Sequence, residues 1–223
     1  MCGKLNYWLY GMRPAARAWE EDYAARMGSE GYARGRSAAT TFYNENADAR
    51  VVVHGDDFTF YGDDSELRRI SAKLAEWYEI VIRAILGPDD DDDKEVTILN
   101  RTVRWTHEGI RISPDAKHVE RVIEAAGLEA DSKSLTVNGR KDDEWGPEDD
   151  VEMAAGDTRR FRAVSATANY LAADRPDIQF SAKELCRRMS KPRVGDWKGV
   201  KVLGRYLVGH RRGDLVYEWQ VMP

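Results

Sequence analysis

The chain has 223 residues, 42% of them apolar and 33% charged, with a formal net charge of −5. That length allows one large or two small cores, no run approaches the ~20 apolar residues of a membrane span, and no apolar secretory block opens the chain. Two distant cysteines, Cys2 and Cys186, and four scattered histidines, His54, His107, His118 and His210, exclude a disulfide framework and a paired zinc-ligand spacing, so a soluble intracellular protein is expected, in the cytoplasm or the nucleus.

The first predicted element is a helix over about 14–28. Pro14 suits a first helical turn, and Ala15, Trp19, Tyr23 and Met27 repeat at a spacing of four, which puts them on one side. Trp19 is read as core. Residues 38–43 form a β-rich run, and Arg-Val-Val-Val-His-Gly-Asp-Asp-Phe-Thr-Phe-Tyr at 50–61 reads as two strands meeting at a tight turn. Gly55 can take the positive φ that such a turn demands. The turn carries Asp56 and Asp57, a stiffly held carboxylate pair of the kind that a hard cation prefers. Gly-Asp-Asp is equally an ordinary solvated hairpin tip.

Asp64 or Ser65 can cap the next helix, whose apolar stripe is Leu67, Ile70, Leu74, Trp77 and Tyr78. Residues 78–86 read as a strand. The aspartates at 89–93 form a solvated, mobile loop, because no glycine stands at the sixth position and no glutamate at the twelfth, as a calcium-binding helix–loop–helix requires. Residues 96–105 and 109–113 make a second hairpin around Thr106-His107-Glu108.

From Pro114 the period changes. Val119, Val122, Ile123 and Ala126 mark a helix stopped by Gly127, and three further helices are expected over about 157–172, 177–190 and 195–209, separated by Pro176 and Pro192. Strands and helices come first and helices alone come last, which predicts an α+β body over 1–113 and a helical module over 114–213. Acid is concentrated at 89–93 and 142–152. Base gathers at Lys183, Arg187, Arg188, Lys191, Arg193, Lys198, Lys201, Arg205, Arg211 and Arg212, facing in sequence only Glu184 and Asp196. Such a run either binds a phosphate backbone or is the solvated face of helices.

Several blocks in the same order resemble the reverse transcriptase of copia-type LTR retrotransposons, an RNA-directed DNA polymerase. Leu9-Tyr10-Gly11-Met12-Arg13 with Arg17-Ala18-Trp19 is similar to the family's Leu-Tyr-Gly-Leu-Lys-Gln-Ala-Pro-Arg-Ala-Trp block, and His54-Gly55-Asp56-Asp57 to its Tyr-Val-Asp-Asp. Ile98-Leu99-Asn100 stands where the family has Phe-Leu-Gly, with Gly109–Ser113 as the following strand. Tyr170-Leu171, Arg175-Pro176-Asp177-Ile178, Met189-Ser190-Lys191-Pro192, Trp197 and Arg205–Gly209 follow the C-terminal pattern.

The resemblance implies the C-terminal part of a right-hand polymerase palm over 1–113, a helical thumb or connection region over 114–213, and at 214–223 the start of a following domain. It implies two-metal nucleotidyl transfer with Mg2+, or Mn2+, bound by Asp56 and Asp57 as catalytic metal ligands. Gly11 and Arg13 would lie against the nucleotide and template, and His54, Gly55, Leu99 and Asn100 against the primer. Arg187, Arg188, Arg211 and Arg212 would hold the nucleic-acid backbone. The implied partners are an RNA or DNA template with its primer and a dNTP, with no membrane. His54 and Gly55 replace the family's aromatic and branched residues, and Arg13-Pro14 replaces its Lys-Gln pair. The family's fingers, the strand bearing its first catalytic aspartate and its RNase H domain are expected to lie outside this stretch. A fragment inactive alone is therefore expected; the alternative is a non-catalytic nucleic-acid-binding remnant.

Overall fold

The computed structural model describes residues 8–136 and 146–220, which leaves Cys2 and the stretch 137–145, with Asp142, Asp143 and Glu144 of the second acidic run, outside the described residues. The class is α+β: among the described residues there are six α-helices and two four-stranded antiparallel sheets. The chain divides into two compact units, 1–82 and 83–223.

In the first unit, α1 (Arg13–Ser29) is followed by β1 (Ala33–Arg34), β2 (Thr41–Asn44), β3 (Ala49–His54), β4 (Asp57–Tyr61) and α2 (Asp64–Trp77), the strands lying in the order β1-β2-β3-β4. Strand β3 alternates buried and exposed: Ala49, Val51 and Val53 point inward while Arg50, Val52 and His54 point out. The inward set joins Tyr23 and Met27 of α1, Phe42 of β2 and Ile70 of α2 in one core, so both helices cover the same face of the sheet. On the outward face Arg50 lies between the rings of Tyr43 and Tyr61, 4.8 and 5.8 Å from their centroids. The N-cap of α2 is Asp63, one residue before the expected caps, and its side chain makes no capping bond.

The predicted strand over 78–86 is absent. Residues 79–85 are without regular structure, and Val81 is 85% exposed. Their β-branched composition favours a strand, but no neighbour offers a ladder, and an unpaired strand leaves its backbone groups to water. The aspartate run is closed locally: Asp93 donates its backbone N–H to the Ile85 carbonyl at 2.8 Å, and Lys94 Nζ donates to the Gly87 carbonyl at 2.9 Å.

The second unit holds β5 (Glu95–Ile98), β6 (Arg101–Trp105), β7 (Gly109–Ser113), α3 (Ala116–Ala125), α4 (Ala155–Leu171), α5 (Gln179–Arg188), α6 (Asp196–Gly209) and β8 (Leu215–Glu218). Its core belongs to the helices: Val122, Phe161, Ala168, Ile178, Ala182, Val200, Leu203 and Leu207 are all wholly buried. The run expected as one strand over 96–105 is two, because the chain reverses at Leu99-Asn100 and pairs Ile98 with Arg101. The compact units divide at 82/83, so residues 113 and 114 lie in the same unit, and 215–218 forms a strand that pairs with β7. Strand β8, reached only after α6, completes the sheet, so sheet and helices are one packing unit.

Candidate functional site

The hairpin of β3 and β4 is built from residues outward. His54 pairs with Asp57, leaving Gly55 and Asp56 as a two-residue turn. Gly55 has φ +64°, the positive value that glycine allows at the first central position of a type II′ turn. Asp56 and Asp57 are both exposed. Strand alternation sends Phe58 and Phe60 toward the core and leaves Asp57 on the outward side with His54.

The turn is fastened from behind by α1. The indole N–H of Trp19 donates to the Gly55 carbonyl at 2.7 Å. The Trp19 ring meets Tyr23, Phe58 and Tyr78 edge-on at 5.6, 6.2 and 4.9 Å between centroids. Tyr78 donates its hydroxyl to Asp22 at 2.6 Å, and Arg26 donates to the same carboxylate at 2.9 Å. Burial alone raises the Asp22 pKa, but these two donors outweigh it and hold the carboxyl below the usual range. Trp19 is thus both the core residue expected from its spacing and a donor to the acid-bearing turn. The signal available in sequence was the indole N–H, which needs a partner wherever the ring is packed.

Gly11 has φ +85° and open space where a Cβ would stand, so the conformation of the turn leading into α1, and no close neighbour, calls for glycine there. Arg13 is exposed at the first position of α1. Leu99 and Asn100 form the tip of the β5–β6 hairpin and belong to the other unit from His54 and Gly55.

The basic stretch faces far more acid than its own sequence holds. Arg187 and Lys183 pair with Glu184, Arg188 lies 3.8 Å from Asp196, Lys198 reaches Asp149 at 2.6 Å, Arg193 lies 3.7 Å from Asp150, and Arg211 pairs with Glu120. Lys191, Lys201, Arg205 and Arg212 remain exposed with no acidic partner among the described residues. Of the four arginines expected at a phosphate backbone, only Arg212 is in that free set.

The acid pair fits part of a metal site. A hard cation takes an octahedral or larger set of oxygen ligands, and among the described residues no group of three or more His, Cys, Asp or Glu side chains comes together to hold one. Asp56 and Asp57 are two candidate ligands without a third protein carboxylate beside them, so the described residues do not by themselves make a complete centre. No helix among the described residues is long and apolar enough to cross a membrane.

No family model and no solved structure matches the chain. It is 25% identical over 221 residues to the retrovirus-related Pol polyprotein from transposon TNT 1-94 of Nicotiana tabacum, an alignment that takes in 94% of this chain. The chain spans 16% of the length of that relative and is, over nearly all of its own length, similar to part of a retrotransposon polyprotein.

Proposed function

We propose that the chain is the palm-and-thumb portion of an RNA-directed DNA polymerase of a copia-type retrotransposon, with Asp56 and Asp57 as two of the carboxylates of its metal site. The observation that carries this reading is a pair of exposed acids, Asp56 in a two-residue turn fastened by Trp19 and Asp57 at the start of β4, in a chain similar along 94% of its length to a retrotransposon polyprotein. A preorganised turn suits phosphoryl transfer, where the protein supplies mainly position and charge. When bound, Mg2+ or Mn2+ would neutralise charge on a dNTP and on the primer hydroxyl. The chain's own contribution is to hold two oxygen donors at a fixed edge. A template–primer duplex would lie along exposed basic side chains.

Because the described residues gather no third acid, residues 1–223 alone are expected to give no template-directed synthesis in a primer-extension assay with Mg2+ or Mn2+. Extension that vanishes on Asp56→Asn would show the carboxylate set to be sufficient and overturn that expectation.

A second reading is binding without catalysis, and the four exposed, unpaired cations favour it. In that case Lys201→Glu with Arg205→Glu and Arg212→Glu lowers duplex affinity and flattens its salt dependence by about one unit of slope per lost phosphate contact. Asp56→Asn then leaves binding unchanged. No salt-dependent binding by the parent chain would eliminate both readings.

A further inference from the structure

The tip of the β5–β6 hairpin is an unusual piece of backbone. Leu99 and Asn100 both have positive φ, +50° and +63°, as a type I′ turn requires. Asparagine tolerates that region, but a leucine there brings its Cβ against the following carbonyl oxygen. Nor does packing of the side chain account for the conformation, because Leu99 is 44% exposed. A residue kept in a sparsely populated conformation persists only where its surroundings over-determine it.

The next residue supplies the constraint. Arg101 Nε donates to both carboxylate oxygens of Asp174, at 2.9 and 2.8 Å, and the two side chains are only 30% and 14% exposed. Asp174 lies three residues beyond the end of α4 and is itself fixed there, its backbone N–H donating to the Leu171 carbonyl at 3.0 Å. Leu171 belongs to the helical core. The strained turn is therefore tied, one residue away, to the segment that closes α4 against the helical core by a partly buried, charge-assisted bond. Neither partner is adjacent to the other in sequence, and neither carries a role in the function proposed above.

We propose that Arg101 and Asp174 are positioning residues that hold the Leu99-Asn100 tip in its left-handed form, ready to contact the recessed 3′ end of a primer strand. The nucleic-acid part of this rests on the polymerase reading; the bracing part stands on the geometry of the second unit alone. The experiment reads the two separately, using residues 1–223. Amide hydrogen exchange reports the brace. Asp174→Asn is expected to speed exchange at Arg101, the residue paired with Ile98 across the turn, at least about tenfold, as loss of a charged hydrogen bond allows, while Ala168 and Leu171 in α4 stay protected. Arg101→Lys, which keeps the charge and loses the geometry, gives a smaller change in the same direction, and Arg101→Asp with Asp174→Arg restores protection.

Binding reports the function. The parent chain is expected to prefer a duplex with a recessed 3′ end over a blunt duplex of equal length and salt, and Asp174→Asn is expected to lose that preference while keeping its affinity for blunt duplex. Unchanged exchange in both single variants overturns the brace. A parent chain with no preference for the recessed end overturns the primer role and counts against the polymerase reading, whatever the exchange shows.

Discussion

At the scale of single residues, two bonds decide how this protein presents its polar groups. The first is Trp19 to the Gly55 carbonyl, 36 residues away in sequence. Spacing placed Trp19 on the inner stripe of α1, and the structure agrees, with the ring packed against Tyr23, Phe58 and Tyr78. Replacing it by phenylalanine keeps most of the packing and removes the donor. We expect Trp19→Phe to lower stability by only about 1 kcal/mol, the usual net worth of such a bond, while raising exchange at Asp57, which pairs with His54 across the turn. Denaturant unfolding with amide exchange checks this, and a loss several times larger with no local effect at the turn would mean that the ring, and not the N–H, matters.

The second bond set centres on Arg175, which is 1% exposed. It donates to both oxygens of Asp177 at 2.8 and 2.6 Å and to the His210 carbonyl at 3.0 Å, joining the start of α5 to the end of α6. Its Nη1 is buried without a partner. Breaking a buried pair costs about 3–5 kcal/mol, and removing an unsatisfied buried donor returns about 1–3. Arg175→Met is therefore expected to destabilise by about 2 kcal/mol, measured by urea unfolding of the whole chain.

At the scale of elements, helices were more legible than strands. The stripes Phe161, Val164, Ala168, Leu171 and Val200, Leu203, Leu207 are buried as the period of the sequence requires, because a helix needs no partner to satisfy its backbone. A strand does need one. Residues 78–86 carry β-branched side chains and find no neighbour, whereas Leu215–Glu218, not expected to be a strand, pairs with β7. The hairpin at 49–61 was readable because both strands and their turn lie in one short stretch. The β5–β6 reversal was not, since Leu-Asn is a poor type I′ sequence and the bond from Arg101 to Asp174 that accompanies it joins residues 73 apart.

At the scale of the whole molecule, charge sets the pH window. In the first unit Arg69 and Tyr32 hold Glu66 below its usual pKa against the opposing effect of burial, and burial together with bonds to Glu66 and Asp22 raises Tyr32 and Tyr78. In the second unit burial raises Asp177, but Arg175 and Tyr206 outweigh it and the net shift is downward. The depressed carboxyls contribute stability that is present above their unfolded values, near pH 4, and lost as pH falls through the lower folded values. The raised tyrosines contribute stability present below about pH 10 and lost as pH rises through the folded values. Unfolding free energy is therefore expected to be level near neutrality and to fall at both ends. Denaturant midpoints from pH 2.5 to 11 would show it, and a first unit indifferent to pH above 10 would contradict the roles given to Tyr32 and Tyr78.

The amino-acid sequence alone determined the class of this protein, the amphipathic stripes of its helices and the acid-bearing hairpin, because each depends on periodicity or on residues a few positions apart. Only the tertiary structure decided which cations are free and which are cancelled by Glu120, Asp149 and Asp150, where the chain divides, and what clamps each turn. Ion pairs and ladders form between whatever surfaces folding brings together, and side chains far apart in the chain carry no local signal of meeting.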